Sequence, residues 1–130
     1  MKIYLAGGFR SNWQERVKNH LKGKFILYNP REKEYSGSER FPMSLNEYGS
    51  WDLHHIKMSD IVFIYVERTN PGVAHLIEAS YAKGLGKTVI LVLEPNNKHI
   101  EDRYLEFIKL ISDVAFDNIE DGLNFLYTFK

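Results

Sequence analysis

The sequence predicts a three-layer α/β fold, in which helices cover both faces of a central parallel sheet of about five strands. Continuous apolar runs at residues 61–66 and 88–93 lack polar alternation, which is typical of strands buried on both faces. Segments with helical spacing separate the apolar runs along the chain. Together these observations indicate a doubly wound arrangement of the Rossmann or flavodoxin-like type.

Each element of this fold has a local signal. Strands are predicted at residues 2–6, 25–28, 61–66, 88–93 and 114–116. Helices are predicted at residues 12–21, 51–58, 73–85, 102–111 and 119–127. Turn residues separate these elements. Gly7-Gly8 follows the first strand, Asn29-Pro30 follows the second strand, and Gly86 follows the predicted helix at residues 73–85. Residues 31–50 are polar without a sustained period, so they predict a long loop.

The composition limits the possible partners. The 130 residues fit a single domain, residues 1–130, and 44% hydrophobic with 26% charged residues is typical of a globular chain. The 17 basic and 17 acidic side chains cancel, which disfavours a nucleic-acid polymer or a membrane surface and favours a small ligand. The absence of cysteine excludes disulfides and thiolate catalysis. No apolar run approaches the roughly 20 residues of a membrane span, and the chain opens on a strand, so we expect a cytoplasmic protein.

Glu78 is the most informative anomaly. On a helical wheel that advances about 100° per residue, it falls inside an apolar arc, whereas Lys83 lies on the opposite side. The arc consists of Ala74, Ile77, Tyr81, Ala82 and Leu85. A buried carboxylate needs hydrogen bonds, a raised pKa or a chemical purpose. Two interpretations of Glu78 therefore remain open: a structural acid whose hydrogen bonds are satisfied by its surroundings, and a reactive acid.

The position of this helix bears on the choice. Ligands of doubly wound sheets bind at the carboxyl ends of the strands, near the point where the strand order reverses. The turns selected by this rule are residues 7–10 after the first strand and residues 67–72 after the third. Gly7-Gly8 can serve as a tight turn or as a phosphate cradle, and no third glycine completes a dinucleotide-binding fingerprint.

Three stretches carry a family resemblance, in order along the chain. They are IYLAGGF at residues 3–9, DLHHIKMSDI at residues 52–61 and EASYAKGLGK at residues 78–87. This ordered set resembles the nucleoside 2-deoxyribosyltransferase family, including its relatives that hydrolyse the N-glycosidic bond of deoxynucleotides. The resemblance implies an enzyme without a metal or other cofactor, and a homo-oligomer.

The resemblance also implies roles for single residues. Glu78 would attack the anomeric carbon and form a glycosyl ester, which a second base or water then resolves. Asp52 would handle the leaving base or anchor the sugar, and Tyr4 would orient Glu78 through a hydrogen bond. The further substrate-binding positions are Gly7, Gly8, Phe9, Arg10, Trp51, Asn70 and Gly72. For Trp51, stacking on a base and local packing are both open interpretations.

One departure keeps the reaction open. Deoxyribosyltransferases usually carry an aspartate where this chain has Gly72, and no acid occurs between Glu67 and Glu78. The nucleotide hydrolases also lack an acid there and have an arginine close behind the first turn, where Arg10 could meet a 5′-phosphate. Three functions therefore remain: base exchange on a deoxynucleoside, hydrolysis of a nucleoside monophosphate, and catalytically silent nucleotide binding or sensing.

Overall fold

A single parallel sheet organises the chain. The computed structural model describes residues 1–8, 10–30, 44–99 and 101–129. The strands are β1 (Lys2–Gly7), β2 (Ile26–Tyr28), β3 (Ile61–Val66), β4 (Thr88–Leu93) and β5 (Val114–Phe116), all parallel in the order β2-β1-β3-β4-β5. The helices in the described ranges are α1 (Trp13–Leu21), α2 (Leu45–Met58), α3 (Ala74–Gly84), α4 (Arg103–Ile111) and α5 (Ile119–Tyr127). The predicted α/β class and the five-stranded parallel sheet are confirmed.

Two cores lie on opposite faces of the sheet, as the unbroken apolar strands predict. On one face, α1 and α5 pack through residues such as Val17 and Leu123 against Leu5 and Phe63. On the other face, α2, α3 and α4 pack against the alternate side chains of the same strands. That second core contains Tyr4, Ala6, Ile56, Val62, Ile64, Ala79, Ala82, Leu105 and Ile108. Burial on both faces explains why the strands carry no polar alternation.

The strand order places its reversal between β1 and β3. These two strands are paired in register up to Gly7 and Tyr65, so their carboxyl ends lie side by side. The helix that follows β1 covers one face of the sheet and the helix that follows β3 covers the other. The chain therefore diverges at this point and leaves a crevice, which is where ligands of such sheets bind.

Helix α2 begins earlier than predicted. The sequence interpretation included residues 45–50 in a long loop and began the helix at residue 51, whereas α2 begins at Leu45. Its start is fixed by a capping box: the Ser44 hydroxyl accepts a hydrogen bond from the Glu47 backbone N–H, and the Glu47 carboxylate accepts one from the Ser44 N–H. The Ser-x-x-Glu signal is present in the sequence, but Gly49 two residues later favoured the interpretation of this stretch as a loop. Residues 31–43 lie outside the described ranges.

The buried face of α3 is also not the one predicted. Ile77 is 63% exposed and Leu85 is 40% exposed, although both were assigned to the buried arc. The side chains that pack inward are His75, Ala79 and Ala82, about a quarter turn around the helix. Glu78 lies at the edge of this small-residue face and is half-buried. The expectation that Glu78 does not point to solvent holds, but for a different packing reason.

A buried ion pair fixes α4 to the end of β3. The Arg68 guanidinium nitrogen Nη1 lies 3.0 and 2.9 Å from the two carboxylate oxygens of Asp102, and both side chains are nearly inaccessible. Nη2 donates to Glu106 at 2.8 Å, and Nε donates to the backbone carbonyl of Glu94. These bonds satisfy the buried charge, so Arg68 is a structural residue.

Candidate active site

A cavity of about 290 Å³ opens in the crevice between the ends of β1 and β3. Its volume is at the lower limit of the usual range for small-molecule sites. It is bounded by the β1 turn, by the inward face of α2 and by the first turns of α3. The lining residues are Leu5, Ala6, Gly7, Gly8, Pro30, Tyr48, Asp52, Asn70, Gly72, Val73, Ala74, His75 and Glu78. Two predicted catalytic acids and four predicted binding positions are therefore in one cavity.

Asp52 and Glu78 line this cavity, and the buried Tyr4 lies behind the lining in contact with both acids. Tyr4 is on β1 and is fully buried, and its hydroxyl lies close enough to both carboxylates for their charges to act on it. Asp52 is on the inward face of α2, four residues before the buried Ile56. Glu78 comes from α3. Three residues distant in sequence are thus brought together by three separate elements.

The polar atoms of this cluster are buried together, and the Tyr4 hydroxyl interacts with both carboxylates at a geometry looser than a regular hydrogen bond. Among the described residues, none is in regular hydrogen-bond geometry with the Tyr4 hydroxyl, Asp52 Oδ1 or Glu78 Oε2. Buried polar atoms are paired in the great majority of cases, because an unmade hydrogen bond costs about 1–3 kcal/mol. Tyr4 interacts with both carboxylates, and the two acids keep further bonding capacity at the cavity that a ligand can use.

Burial and charge set the ionisation of the cluster. Burial raises the pKa of Glu78 to about 7; the Tyr4 hydroxyl opposes this rise, and the negative charge of Asp52 adds to it. Burial also raises the pKa of Asp52, while Tyr4 and His55 act to lower it. The pKa of Tyr4 lies far above its ordinary value, first through burial and then through the two carboxylates, so Tyr4 keeps its proton. Tyr4 can therefore donate a hydrogen bond to either acid.

The glycine turn after β1 is held rigidly against its surroundings. The Gly8 carbonyl accepts hydrogen bonds from Trp13 Nε1 at 2.9 Å and from Gln14 Nε2 at 3.0 Å. Gly7 has φ of +147°, and a Cβ there would lie 2.5 Å from the Tyr65 carbonyl oxygen. Only glycine fits this position, so the tight turn by itself explains why residue 7 is a glycine. The turn brings backbone to the cavity wall.

The first turn of α3 brings a residue into the cavity that the sequence interpretation missed. His75 is buried, lines the cavity, and its Nε2 has no hydrogen-bond partner among the described residues. Burial lowers the pKa of His75, so the ring is uncharged near neutral pH. Gly72, at φ of +67°, lies against this ring, since a Cβ there would be 3.0 Å from His75 Cε1. The predicted buried arc of α3 excluded residue 75, which is why the wheel did not identify it.

Among the other predicted binding residues, Trp51 and Arg10 are not part of the cavity lining. The Trp51 ring stacks on His55 with centroids 3.9 Å apart and packs against the core, which agrees with its local-packing interpretation. Arg10 is exposed beyond the glycine turn. Phe9 lies outside the described residues. Asn70 and Gly72 both line the cavity.

A second cavity, of about 330 Å³, lies beside Arg68, Glu94 and Lys98. Its arginine is already bonded to two carboxylates and a carbonyl. None of the described residues that line this second cavity has a buried side-chain polar atom without a regular hydrogen bond, in contrast to the first cavity. Within the described ranges, no cluster of histidine, cysteine and acidic residues has the arrangement of a metal site. In the same ranges no helix combines the length and apolar character that crossing a bilayer demands.

Comparison with known proteins bears on the identity of this site. A profile of the family described as "Nucleoside 2-deoxyribosyltransferase like" matches residues 1–96, a range that contains Tyr4, Asp52 and Glu78. The chain belongs to this family. The family assigned by resemblance is thereby confirmed. No curated protein matches the sequence significantly.

Solved structures of other proteins have a similar fold. A 2-deoxyribosyltransferase from Bacillus psychrosaccharolyticus is 26% identical, with 95% of this chain and 91% of that chain covered and a TM-score of 0.71. A 2-deoxyribosyltransferase from Leishmania mexicana is 17% identical, with 95% of each chain covered and a TM-score of 0.68. A CMP N-glycosidase from Clostridium botulinum is 15% identical over the full length of both chains, with a TM-score of 0.64. At these last two identities the likeness concerns the fold alone.

Proposed function

We propose that the protein cleaves the N-glycosidic bond of a nucleoside or nucleotide, with Glu78 as the nucleophile. The observation that supports the proposal is the pairing of Glu78 and Asp52, two carboxylates that line one small cavity and share the Tyr4 hydroxyl as a neighbour. Family membership supports the reaction class, and so does the likeness to a 2-deoxyribosyltransferase at 26% identity.

The electrostatics of the pair suit this chemistry. Breaking the bond between C1′ and the base generates an oxocarbenium-like positive charge at the sugar. Burial raises the pKa of Glu78, and the negative charge of Asp52 raises it further, because the two ionised carboxylates repel each other in the free enzyme. Positive charge developing between the two carboxylates relieves that repulsion, so the site stabilises the transition state more than the ground state.

Two displacements complete the reaction. In the first, a Glu78 carboxylate oxygen bonds to C1′ while the C1′–N bond breaks, and the electron pair leaves with the base. In the second, a new base or water attacks C1′ and releases Glu78. Tyr4, which keeps its proton, positions and stabilises the Glu78 carboxylate whenever the ester is absent. Attack by a new base gives transfer, and attack by water gives hydrolysis.

Exchange of bases on a 2′-deoxynucleoside is the first candidate. Hydrolysis of a nucleoside 5′-monophosphate is the second, and two features favour it. No acidic residue occurs between Glu67 and Glu78 to protonate a departing or incoming base, whereas Arg10 is exposed just beyond the glycine turn. An arginine in that position is available to a 5′-phosphate. A silent nucleotide-binding protein is the third candidate and gives no product in the test below.

Product analysis separates these candidates. The protein is incubated with deoxyinosine or with dCMP, with and without adenine, and the products are resolved by chromatography. Deoxyadenosine formation establishes transfer, and free base without exchange establishes hydrolysis. Glu78→Gln should abolish either activity, while Ser80→Ala, an exposed position on the same helix, is the matched control and should retain it. Turnover that survives Glu78→Gln would refute the nucleophile, and no product from any substrate would refute the enzyme.

A further inference from the structure

His75 is a buried polar residue that the packing of the fold does not require and that has no role in the reaction proposed for Glu78 and Asp52. It is on the inward face of α3, yet its Nε2 has no hydrogen-bond partner among the described residues. The helix does not need a histidine there for packing, since Ala79 and Ala82 make the same face with methyl groups. An unsatisfied nitrogen at this depth costs about 1–3 kcal/mol of stability.

The position of His75 relative to Glu78 limits what it can bind. The two residues are three positions apart, so they are neighbours on one helix face with Cβ atoms about 5–6 Å apart. Both line the same cavity, with Gly72 beside the His75 ring. When Glu78 approaches C1′, the group bonded to C1′ on the side away from the carboxylate is the base. The base therefore occupies the part of the cavity away from the Glu78 carboxylate, and His75 is a second lining side chain available to contact it.

We infer that His75 binds the base of the substrate and donates a hydrogen bond from Nε2 to it as the base leaves. This inference rests on the proposed function, because it specifies how that site handles its leaving group. An uncharged imidazole suits a heterocyclic base, whose ring nitrogens and carbonyl oxygens accept hydrogen bonds, better than it suits a phosphate. As the C1′–N bond breaks, the electron pair goes to the base, and the N–H stabilises the negative charge that develops there. The departing base takes its final proton from water.

Gly72 supports this arrangement from the loop. Its backbone is in the left-handed region at φ of +67°, and its missing side chain leaves room for the imidazole, as a Cβ would be 3.0 Å from Cε1 and 3.4 Å from Nδ1. The ring is therefore confined between the loop and α3. A ring held in place loses little conformational entropy on binding, which is the condition for an effective contact in the transition state.

The test compares leaving groups that differ in their need for stabilisation. Deoxyinosine loses an anionic base, whereas 7-methyl-2′-deoxyguanosine loses a base that departs neutral. His75→Leu should lower kcat/KM for deoxyinosine by about 10- to 100-fold, and for the methylated substrate by less than about threefold. His75→Gln, whose amide nitrogen can reach a similar position, should recover part of the loss. Equal losses for both substrates would overturn the inference, because a purely structural defect affects them alike.

A binding measurement keeps this test separate from the test of the proposed function. Wild-type protein and Glu78→Gln, labelled with ¹⁵N at histidine, are titrated with deoxyinosine and dCMP, and the His75 Nε2 resonance is assigned by its loss in His75→Leu. A shift of that resonance on binding supports base binding by His75 even if no substrate is turned over; in that case the proposed function fails, and the leaving-group role of His75 fails with it. If neither ligand binds, or if one binds without shifting Nε2, the inference is wrong.

Discussion

Glu78 should reduce the stability of the fold at neutral and alkaline pH, and Glu78→Gln should remove that cost. Its pKa in the folded protein is about 7, compared with an ordinary value of 4.5, because burial disfavours the charged form. Between these two values the folded state binds a proton that the unfolded state has lost. Stability associated with the protonated acid is therefore present at low pH and is lost as the pH rises through about 7.

The size of this effect follows from the two pKa values. A difference from 4.5 to about 7 corresponds to at most about 3 kcal/mol of free energy of unfolding when both states are fully ionised. Most of it, about 2–3 kcal/mol, develops between pH 5 and pH 8. The neutral amide introduced by Glu78→Gln does not titrate, so the variant should gain stability relative to the wild type by this amount as the pH rises.

Urea unfolding at pH 5, 6, 7 and 8 measures the difference directly. Any fixed effect of the amide, such as its own unmet hydrogen bonds, shifts the difference equally at each pH and drops out of the comparison. Glu101→Gln, at an exposed surface position, is the matched control and should show no comparable trend. A difference between Glu78→Gln and the wild type that stays constant from pH 5 to pH 8 would refute the assigned burial of the carboxylate.

The remaining predictions concern the partners of Glu78 and the ion pair under α4. Tyr4→Phe removes a hydroxyl that lowers the pKa of Glu78, so the pH at which kcat/KM is half-maximal should rise above that of the wild type. Asp52→Asn removes a charge that raises this pKa, so the same midpoint in the residual activity should fall. Both midpoints are read from pH–rate profiles, and a shift in the reverse direction for either variant contradicts the coupling. Arg68→Met leaves the buried Asp102 carboxylate without its ion-pair partner, so urea unfolding should show a loss of about 3–5 kcal/mol; a loss below about 1 kcal/mol would contradict the structural role.

Sequence patterns were sufficient for the layers of the fold. Strands such as β3 and β4 are apolar throughout, and only a sheet covered on both faces buries all of these side chains. The reversal between β1 and β3 then places their following turns at the ligand crevice without further information. The position of the site in the fold was therefore predictable from strand composition and order.

The orientation of α3 was not predictable in the same way. Hydrophobicity points to Ile77 and Leu85, but these lie at the surface, and the helix instead packs through Ala79 and Ala82. Small side chains let a helix approach the sheet closely, although they contribute little to an apolar pattern. For this reason the wheel gave the wrong buried face and missed His75. Tyr4, Asp52 and Glu78 were found through the ordered motifs, since periodicity alone left Glu78 undecided between a structural and a chemical role.

The central claim is that Glu78 becomes covalently bonded to the sugar. Acid quenching of the protein during turnover of a deoxynucleoside, or of a 2-fluoro sugar analogue that slows the second displacement, allows the ester to be found by peptide mass spectrometry. The expected result is one sugar group on the peptide that contains Glu78, with no adduct in Glu78→Gln. Rapid release of base with no adduct on any peptide, or an adduct on Asp52 instead, would contradict the assignment of Glu78 as the nucleophile.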